Sequence, residues 1–203
     1  MTAAAALDVS RETSARLDAL TALVAKWTGR INLVAPSTVP RLRERHVADS
    51  LQLWPLLPPG AATLADLGSG GGFPGLVLAI LAAEAGAPRV ILIESDGRKC
   101  AFLLTAAREL SLDVTVLDQR AEEASPQAAD VVTARALAPL DRLLPLVARH
   151  LRDGGTAILP KGRDWSAEVE EARAAGWRFA FDARPSATDG QARVLLLTGP
   201  AHG

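Results

Sequence analysis

A glycine-rich loop between an apolar strand and an apolar helix is the stretch of this 203-residue chain whose residue types and spacing best suit ligand chemistry. Residues 63–75 read TLADLGSGGGFPG and lead directly into the apolar run LVLAILAAEAG. Glycines allow a ligand to approach the backbone, and the start of a helix offers N–H groups without intrahelical partners. The order of strand, glycine loop and helix therefore predicts a nucleotide-type pocket.

The carboxylate of Asp66 narrows the choice of ligand. Gly68, Gly70 and Gly72 have G-x-G-x-G spacing, but Gly70 and Gly72 also fit the G-x-G-x-x-G dinucleotide pattern with Gly75, so glycine spacing alone does not discriminate. An acid two residues before the first glycine is expected to point into the pocket, where it opposes a diphosphate and suits a ligand that carries an ammonium and a sulfonium. S-adenosylmethionine is such a ligand, and an NAD oxidoreductase remains an alternative that rests on the glycines alone.

Three further predicted strand ends supply candidate cofactor contacts. Glu94 ends the run PRVILIE 19 residues after Gly75, which is the position from which a carboxylate holds ribose hydroxyls. Ala121 and Glu122 follow the third strand, where a backbone N–H and a carboxylate suit the amino edge of adenine. Arg135 follows the fourth strand and is expected to point a permanent cation at the pocket floor, in a functional or a structural role.

Apolar strands and amphipathic helices alternate from residue 63 onward. The predicted strands are 63–67, 89–94, 113–118, 130–134, 155–160, 177–183 and 193–198, and the predicted helices are 75–86, 97–111, 139–151 and 165–175. This alternation predicts an α/β fold: a mostly parallel seven-stranded sheet with helices on both faces. By analogy, the layout resembles the Rossmann-like fold of class I methyltransferases. The last two strands lack an intervening helix and are expected to pair antiparallel at one edge.

The chain before the sheet is predicted as an N-terminal helical extension, residues 1–60, packed on an S-adenosylmethionine-binding domain, residues 61–203. Apolar residues recur at helical spacing over 8–31, and a second helix is predicted over 40–54.

Basic residues crowd the first turns of that second helix, for which a solvated face and phosphate contact remain equally open explanations. They are Arg41, Arg43, Arg45 and His46. Because His46 and Asp49 are three residues apart, they are expected to share a helix face and to pair structurally.

Composition excludes several classes of function. The formal net charge is −1, so any nucleic-acid contact has to be local. One cysteine and three histidines do not form a metal-ligand pattern, so no metal is expected. The opening MTAAAALDVS has neither a basic leader segment nor a long apolar run, which predicts a cytoplasmic protein without a membrane anchor.

The atom to be methylated is narrowed by what the chain lacks. Amino-group methylation commonly uses an Asn/Asp-Pro-Pro-aromatic loop, but residues 133–139 read TARALAP, and the chain has no tyrosine. Methylation of a pyrimidine carbon needs a cysteine nucleophile, and Cys100 is expected in a helix core. Guanine N7 presents a lone pair and no proton, so alignment and desolvation suffice.

Six segments together resemble the glucose-inhibited division protein B family, the bacterial 16S rRNA guanine-N7 methyltransferases. They are RERHVADSL, DLGSGGGFPGLVLAI, ESDGRKCAFL, RAEE, TARALAPL and LPKG, and the resemblance runs from residue 27 to 197. It implies S-adenosylmethionine as cofactor and 16S rRNA or the small ribosomal subunit as partner. Matching cofactor positions are Gly68, Phe73, Ala121, Glu122 and Arg135. Matching recurrent polar positions are Arg45, His46, Asp49, Arg98, Lys99, Lys161 and Arg193. The chain departs from the family at Trp27-Thr28, where Trp-Asn is usual, and at 190–193, where only the arginine carries over.

Candidate RNA contacts are cations and aromatic rings. The predicted phosphate contacts are Arg41, Arg43, Arg45, His46, Arg98, Lys99, Lys161, Arg163 and Arg193. Arg135 and Lys161 are candidate positioning residues for catalysis, and Phe73 or Trp165 is a candidate to stack on a base. A methyltransferase for another substrate, and a ribosome-assembly or cofactor-binding module without turnover, remain alternatives.

Overall fold

The computed structural model describes residues 9–203. The first eight residues of the predicted extension, and the predicted start of its first helix at residue 8, lie outside the described residues. Within residues 9–203, no helix is both long and apolar enough to span a bilayer.

Helix α1, Arg11–Thr28, joins the N-terminal segment to the sheet. The Ser10 hydroxyl caps it by accepting from the Thr13 N–H at 3.1 Å, as expected for a serine at this position. Ser10 and Thr13 also donate to the carboxylate of Glu84 at the end of α3. Leu17 and Leu20 are fully buried in the same cluster as the α3 side chains. The extension therefore shares a hydrophobic core with the sheet, and its description as a separate unit, 1–60, stays a prediction.

The second helix, predicted over 40–54, is confirmed in part: the backbone is helical over 41–51, but it is not one regular α-helix. The chain forms a 3₁₀ turn at Pro36–Arg41, a π turn at Arg43–Val47, a short α2 at Ala48–Leu51 and a further 3₁₀ turn at Trp54–Leu56. Prolines remove backbone donors in the two 3₁₀ turns, and in the π turn the Ala48 N–H donates to the carbonyl of Arg43, five residues back. The sequence periodicity misses this widened turn.

The rest of the chain follows the predicted alternation. The strands are β1 (Thr63–Leu67), β2 (Arg89–Glu94), β3 (Val114–Asp118), β4 (Ala129–Ala134), β5 (Leu151–Lys161), β6 (Trp177–Pro185) and β7 (Arg193–His202). The remaining helices are α3 (Gly75–Ala85), α4 (Gly97–Glu109), α5 (Leu140–His150) and α6 (Trp165–Ala174). Strand β5 extends beyond its predicted bounds at both ends. Strands β6 and β7 begin at the predicted residues and end later than predicted.

The seven strands form one sheet in the order β3-β2-β1-β4-β5-β7-β6. The first five strands are parallel, and β7 lies antiparallel between β5 and β6. The predicted antiparallel pair at one edge is therefore confirmed. Successive strands are added toward one edge of the sheet from β1 to β3 and toward the other edge from β4 onward. The carboxyl ends of β1 and β4 therefore border the crevice in which ligands of such sheets bind.

Alternating side chains of β1 serve the two faces of the sheet. Leu64 packs with α1, α3 and α4, whereas Ala65 and Leu67 pack with α5 and α6. Asp66 lies on the same face as Leu64 and therefore points beneath α3. This register decides the environment of its carboxylate.

Candidate active site

Two adjoining cavities open at the carboxyl end of the parallel strands. The smaller, of about 240 Å³, is lined by the glycine loop, by Glu94 and by the residues that follow β3. The larger, of about 550 Å³, lies between the π turn, the ends of β4 and β5 and the loop that joins β6 to β7. Ala136 and Leu137 line both cavities, so the boundary between them is a two-residue stretch after β4.

The glycine loop is held in a conformation that requires glycine. Gly68, Gly70 and Gly72 have φ of +65°, +53° and +84°. A Cβ at Gly68 would lie 2.6 Å from the side chain of Leu137. The loop therefore offers bare backbone to the smaller cavity.

Glu94 fixes the loop from the end of β2. Its Oε2 accepts from the Gly70 N–H at 2.8 Å, and its Oε1 accepts from the N–H groups of Ser95 and Asp96, both at 2.9 Å. Glu94 as a whole is 8% exposed and lines the smaller cavity. Glu94 thus lies where the sequence places it, with backbone bonds that hold it toward the cavity.

Asp66 does not face either cavity, and the expectation that its carboxylate points into the pocket is wrong. Oδ1 accepts from the Thr133 hydroxyl at 2.8 Å, and Oδ2 accepts from the Gly75 N–H at 3.2 Å. Burial raises the pKa of Asp66 to about 6, although these hydrogen bonds act in the opposite direction. The side chain joins β1, β4 and the start of α3, and its assignment to cofactor binding stays a prediction.

Arg135 is the centre of a polar network on the floor of the larger cavity. Its Nη2 contacts His46 Nδ1, and its Nη1 lies 3.3 Å from Asp49 Oδ2, at ion-pair distance. Since a guanidinium only donates, His46 Nδ1 is the acceptor, and Nε2–H donates to the Thr38 hydroxyl at 3.0 Å. His46 and Asp49 therefore do not pair with each other as predicted, because the π turn directs both toward Arg135.

His46 is neutral in this network. Burial, together with the charges of Arg135 and Arg45, lowers its pKa to about 4. The imidazole also stacks on Phe73, with ring centroids 5.1 Å apart and planes inclined by 28°. A predicted phosphate contact by His46 would need a charge that this environment opposes.

The roof of the larger cavity is tied to α2. The carboxylate of Asp49 accepts from the Thr188 hydroxyl at 2.9 Å and from Gln52 Nε2 at 2.8 Å. The other end of the Gln52 amide accepts from the Ala187 N–H at 2.7 Å. The side chains of Asp49, in α2, and of Gln52, which directly follows α2, thereby hold the 186–192 loop over the cavity.

Lys161 bridges the wall of the larger cavity. Its Nζ donates to the Ala138 carbonyl at 3.0 Å and to Glu168 Oε2 at 2.8 Å. The same carboxylate oxygen accepts from the Leu140 N–H at 2.8 Å. With 8% of its side chain exposed, Lys161 lacks the exposed ammonium that a phosphate contact requires, and its geometry fits the predicted positioning role better.

Three predicted phosphate contacts are engaged within the protein. Arg43 pairs with Asp18 of α1 and donates to Ser14 at 3.1 Å. Arg98 pairs with Asp96 at 2.9 Å. Arg193 donates to the carbonyls of its own loop and lies over the Trp165 ring at 5.8 Å.

The remaining predicted RNA contacts divide by position. Arg41, Arg45 and Arg163 are exposed, and Arg45 lines the larger cavity. Lys99 is half-buried and lines the smaller cavity, so its geometry places it beside the predicted cofactor groups.

Aromatic rings and the cysteine differ in how far they match expectation. Phe73 is 7% exposed and stacks against His46, and the Arg193 guanidinium lies over the ring of Trp165. These contacts occupy the ring faces that a base would need for stacking. Cys100 is buried, and burial raises the pKa of its thiol to about 12. This environment suits the predicted core role and opposes a nucleophilic one.

Ala121 and Glu122 line the smaller cavity, as predicted, beside Gln119 and Arg120. Within residues 9–203, no group of three or more His, Cys, Asp or Glu side chains is placed to hold a metal ion.

Comparison with known proteins identifies the family. The family model described as rRNA small subunit methyltransferase G matches residues 13–181. The chain belongs to this family. The predicted resemblance is therefore confirmed.

Relatives match over nearly their whole length. The ribosomal RNA small subunit methyltransferase G of Paramagnetospirillum magneticum is 52% identical over 195 residues, which cover 96% of this chain and 93% of the relative. That of Rhodospirillum centenum is 54% identical over 194 residues, which cover 96% and 88%.

Solved structures of methyltransferases share the fold. A ribosomal protein L11 methylase from Lactobacillus delbrueckii superposes with a TM-score of 0.58 at 20% identity, over 73% of this chain and 76% of the other. The Thermus thermophilus 16S rRNA N2 G1207 methyltransferase, solved with AdoMet and guanosine, superposes with a TM-score of 0.54 at 23% identity, over 77% and 40%. The Rossmann-like methyltransferase fold is thereby confirmed.

Sequence reasoning misses three contributors to the site. Leu137 is 40% exposed at the cavity boundary, where an apolar residue after a strand gives no chemical signal. Gln52 and Thr188 are 136 positions apart and both donate to the Asp49 carboxylate, and their residue types are typical of any surface loop. The residues of the 186–192 loop, SATDGQA, indicate a turn but not the helix to which it is tied.

Proposed function

We propose that this protein is an S-adenosylmethionine-dependent methyltransferase that acts on guanine N7 in 16S rRNA of the small ribosomal subunit, in the cytoplasm. The observation that carries the proposal is the meeting of two chemically different cavities at Ala136 and Leu137. One has the backbone and carboxylate groups that suit a nucleoside, and the other is bordered by cations. Family membership supports the same conclusion.

The residues of the smaller cavity fit S-adenosylmethionine. Gly68 and Gly70 present bare backbone to this cavity, Glu94 presents a carboxylate to ribose hydroxyls, and Ala121 with Glu122 faces the adenine side. When bound, this cofactor supplies an electrophilic methyl group on a sulfonium. The chain itself aligns the two ligands at the cavity boundary and excludes water between them.

The larger cavity is suited to a base that needs no deprotonation. Guanine N7 is already a nucleophilic lone pair, and His46 is neutral and held by Arg135, so the site provides no free general base and the reaction requires none. The base becomes positively charged when N7 is methylated. The half-buried carboxylate of Asp49 lines this cavity and balances the charge of Arg135, so this pair adds no net positive charge beside the methylated base.

Exposed arginines border the mouth of the larger cavity and provide phosphate contacts. Arg45 lines the cavity, and Arg163 follows Gly162 of its wall. Since the formal net charge is −1, these contacts are local, and folded rRNA or the assembled subunit is the partner we favour over an unstructured strand.

The test is methyl transfer from labelled S-adenosylmethionine to small ribosomal subunits from cells that lack the modification. We expect label in 7-methylguanosine after nucleoside digestion of the 16S rRNA. Subunits from cells that have the modification serve as the control and should accept none. Label in another nucleoside, or none in competent subunits, would contradict the proposal.

A further inference from the structure

His150, the last residue of α5, lies under the loop that closes one side of the smaller cavity. Its side chain is fully buried, and Nε2 donates to the Ala121 carbonyl at 2.8 Å. The other ring nitrogen, Nδ1, is buried without a hydrogen-bond partner among residues 9–203.

The unpaired nitrogen means that a histidine at this core position lowers the stability of the folded state. A carbonyl only accepts, so Nε2 carries the hydrogen, and Nδ1 keeps a bare lone pair. Burying a polar atom without a partner destabilises the folded state, and an apolar side chain of similar size would avoid that loss. The bond to Ala121 is the contact that distinguishes histidine from such a side chain.

That bond fixes the direction of a neighbouring N–H. The Ala121 carbonyl and the Glu122 N–H belong to one planar trans peptide and point in opposite directions. Since His150 holds the carbonyl from the core, the N–H is directed away from the core, where both residues line the smaller cavity. Within the described part of the chain, this N–H has no acceptor.

The preceding residue reinforces the same loop. Arg149 Nε donates to the Ala124 carbonyl at 3.0 Å. Adjacent side chains at the end of α5 therefore hold the loop after β3 at two carbonyls three residues apart.

We propose that His150 is a positioning residue that aims the Glu122 N–H at the adenine ring of the cofactor. Adenine presents ring nitrogens that accept and an amino group that donates, so a backbone N–H and the Glu122 carboxylate form a complementary pair for it. This inference rests on the proposed function, because it assumes that the smaller cavity holds the nucleoside of S-adenosylmethionine.

Calorimetric titration of the full-length protein with S-adenosylhomocysteine tests the inference. His150→Phe removes the donor, and we expect it to weaken binding about tenfold, as for the loss of one oriented hydrogen bond. His150→Gln places an amide donor near the position of Nε2 and should restore most of the affinity. If His150→Phe does not fold, His150→Leu removes the donor in a smaller side chain and carries the same expectation.

A second ligand separates orientation from general loosening. S-inosylhomocysteine has an N1–H where adenine has an accepting N1, and a carbonyl in place of the amino group. It therefore opposes both the Glu122 N–H and the Glu122 carboxylate, and wild-type protein should bind it more weakly than S-adenosylhomocysteine. In the donor-less variant this preference should shrink. A structural defect alone would weaken both ligands equally and leave the preference unchanged.

Val147→Ala is the matched control, because Val147 is fully buried one turn earlier in α5. It should lower the unfolding temperature without changing either affinity. Wild-type binding by the donor-less variant, or an equal loss in Val147→Ala, would overturn the role of His150. If wild-type protein itself binds neither ligand, the proposed function fails instead.

Discussion

Lys161 holds its charge inside the protein, between the Ala138 carbonyl and Glu168. Lys161→Ala would leave the Glu168 carboxylate without its cation, and we expect it to lower the free energy of unfolding by about 3 kcal/mol. Denaturant titration measures this loss. The matched control is Arg163→Ala, two residues away and exposed, which should leave stability within about 0.5 kcal/mol of wild type. Unchanged stability in Lys161→Ala would contradict this structural role and would favour the predicted phosphate contact by Lys161.

Asp66 makes the stability of the fold depend on pH. Its pKa rises on folding from 3.8 to about 6, so between these values the folded state binds the extra proton. The contribution of Asp66 is therefore complete below pH 3.8 and is lost as the pH rises through 6, by about 3 kcal/mol. Asp66→Asn has no proton to lose.

Denaturant titrations of wild type and Asp66→Asn between pH 4 and pH 7 measure this dependence. Asparagine has only one acceptor oxygen, so it cannot replace both carboxylate oxygens that accept from the Gly75 N–H and the Thr133 hydroxyl, and the variant is expected to be less stable throughout. The stability difference between the two proteins should narrow toward pH 7. A constant difference over this range would show that the Asp66 carboxyl does not titrate there.

The link between α2 and the roof loop belongs to the scale of elements. Gln52→Ala removes the acceptor of the Ala187 N–H and one of the donors to Asp49, so the 186–192 loop loses its orientation over the larger cavity. We expect the KM for ribosomal subunits to rise about fivefold, the effect of roughly 1 kcal/mol, while the Kd for S-adenosylhomocysteine stays unchanged. Gln127→Ala, in a loop outside both cavities, should change neither. Weaker cofactor binding in Gln52→Ala would show that the roof also supports the smaller cavity.

The sequence predicts best those helices and strands in which apolar residues recur at a regular spacing. Strands β1 and β2 occupy the predicted residues because their apolar runs are bounded by glycine and proline. The prediction of one regular helix fails in the 36–56 segment because prolines and a π turn interrupt the helical period. No local signal in the sequence marks the hydrogen bond from the Ala48 N–H to the Arg43 carbonyl, five residues back. The same turn directs His46 toward Arg135. The prediction of a regular helix therefore also leads to the wrong prediction that His46 pairs with Asp49.

Strand-end position predicts which residues approach the crevice, but it does not predict which way a side chain faces. Glu94, Ala121 and Glu122 line the smaller cavity as predicted because the topology alone places them there. Asp66 is misplaced because its face follows from the register of β1 against α3, which spacing to the glycines does not reveal. Pairing across long separations, as between Lys161 and the Ala138 carbonyl, is equally invisible to local patterns.

At the scale of the whole molecule, the formal net charge of −1 requires attraction to RNA to come from a few placed cations. Each arginine that contacts a phosphate releases counterions, so its removal should flatten the plot of log affinity against log salt by about one. Arg45→Ala and Arg163→Ala should each do so for small-subunit binding, and their effects should add because the residues lie on different elements. Arg108→Ala, an exposed cation nine residues beyond Lys99 in α4, should leave the slope unchanged. An equal decrease in all three variants would mean that RNA senses overall charge and not the border of the larger cavity.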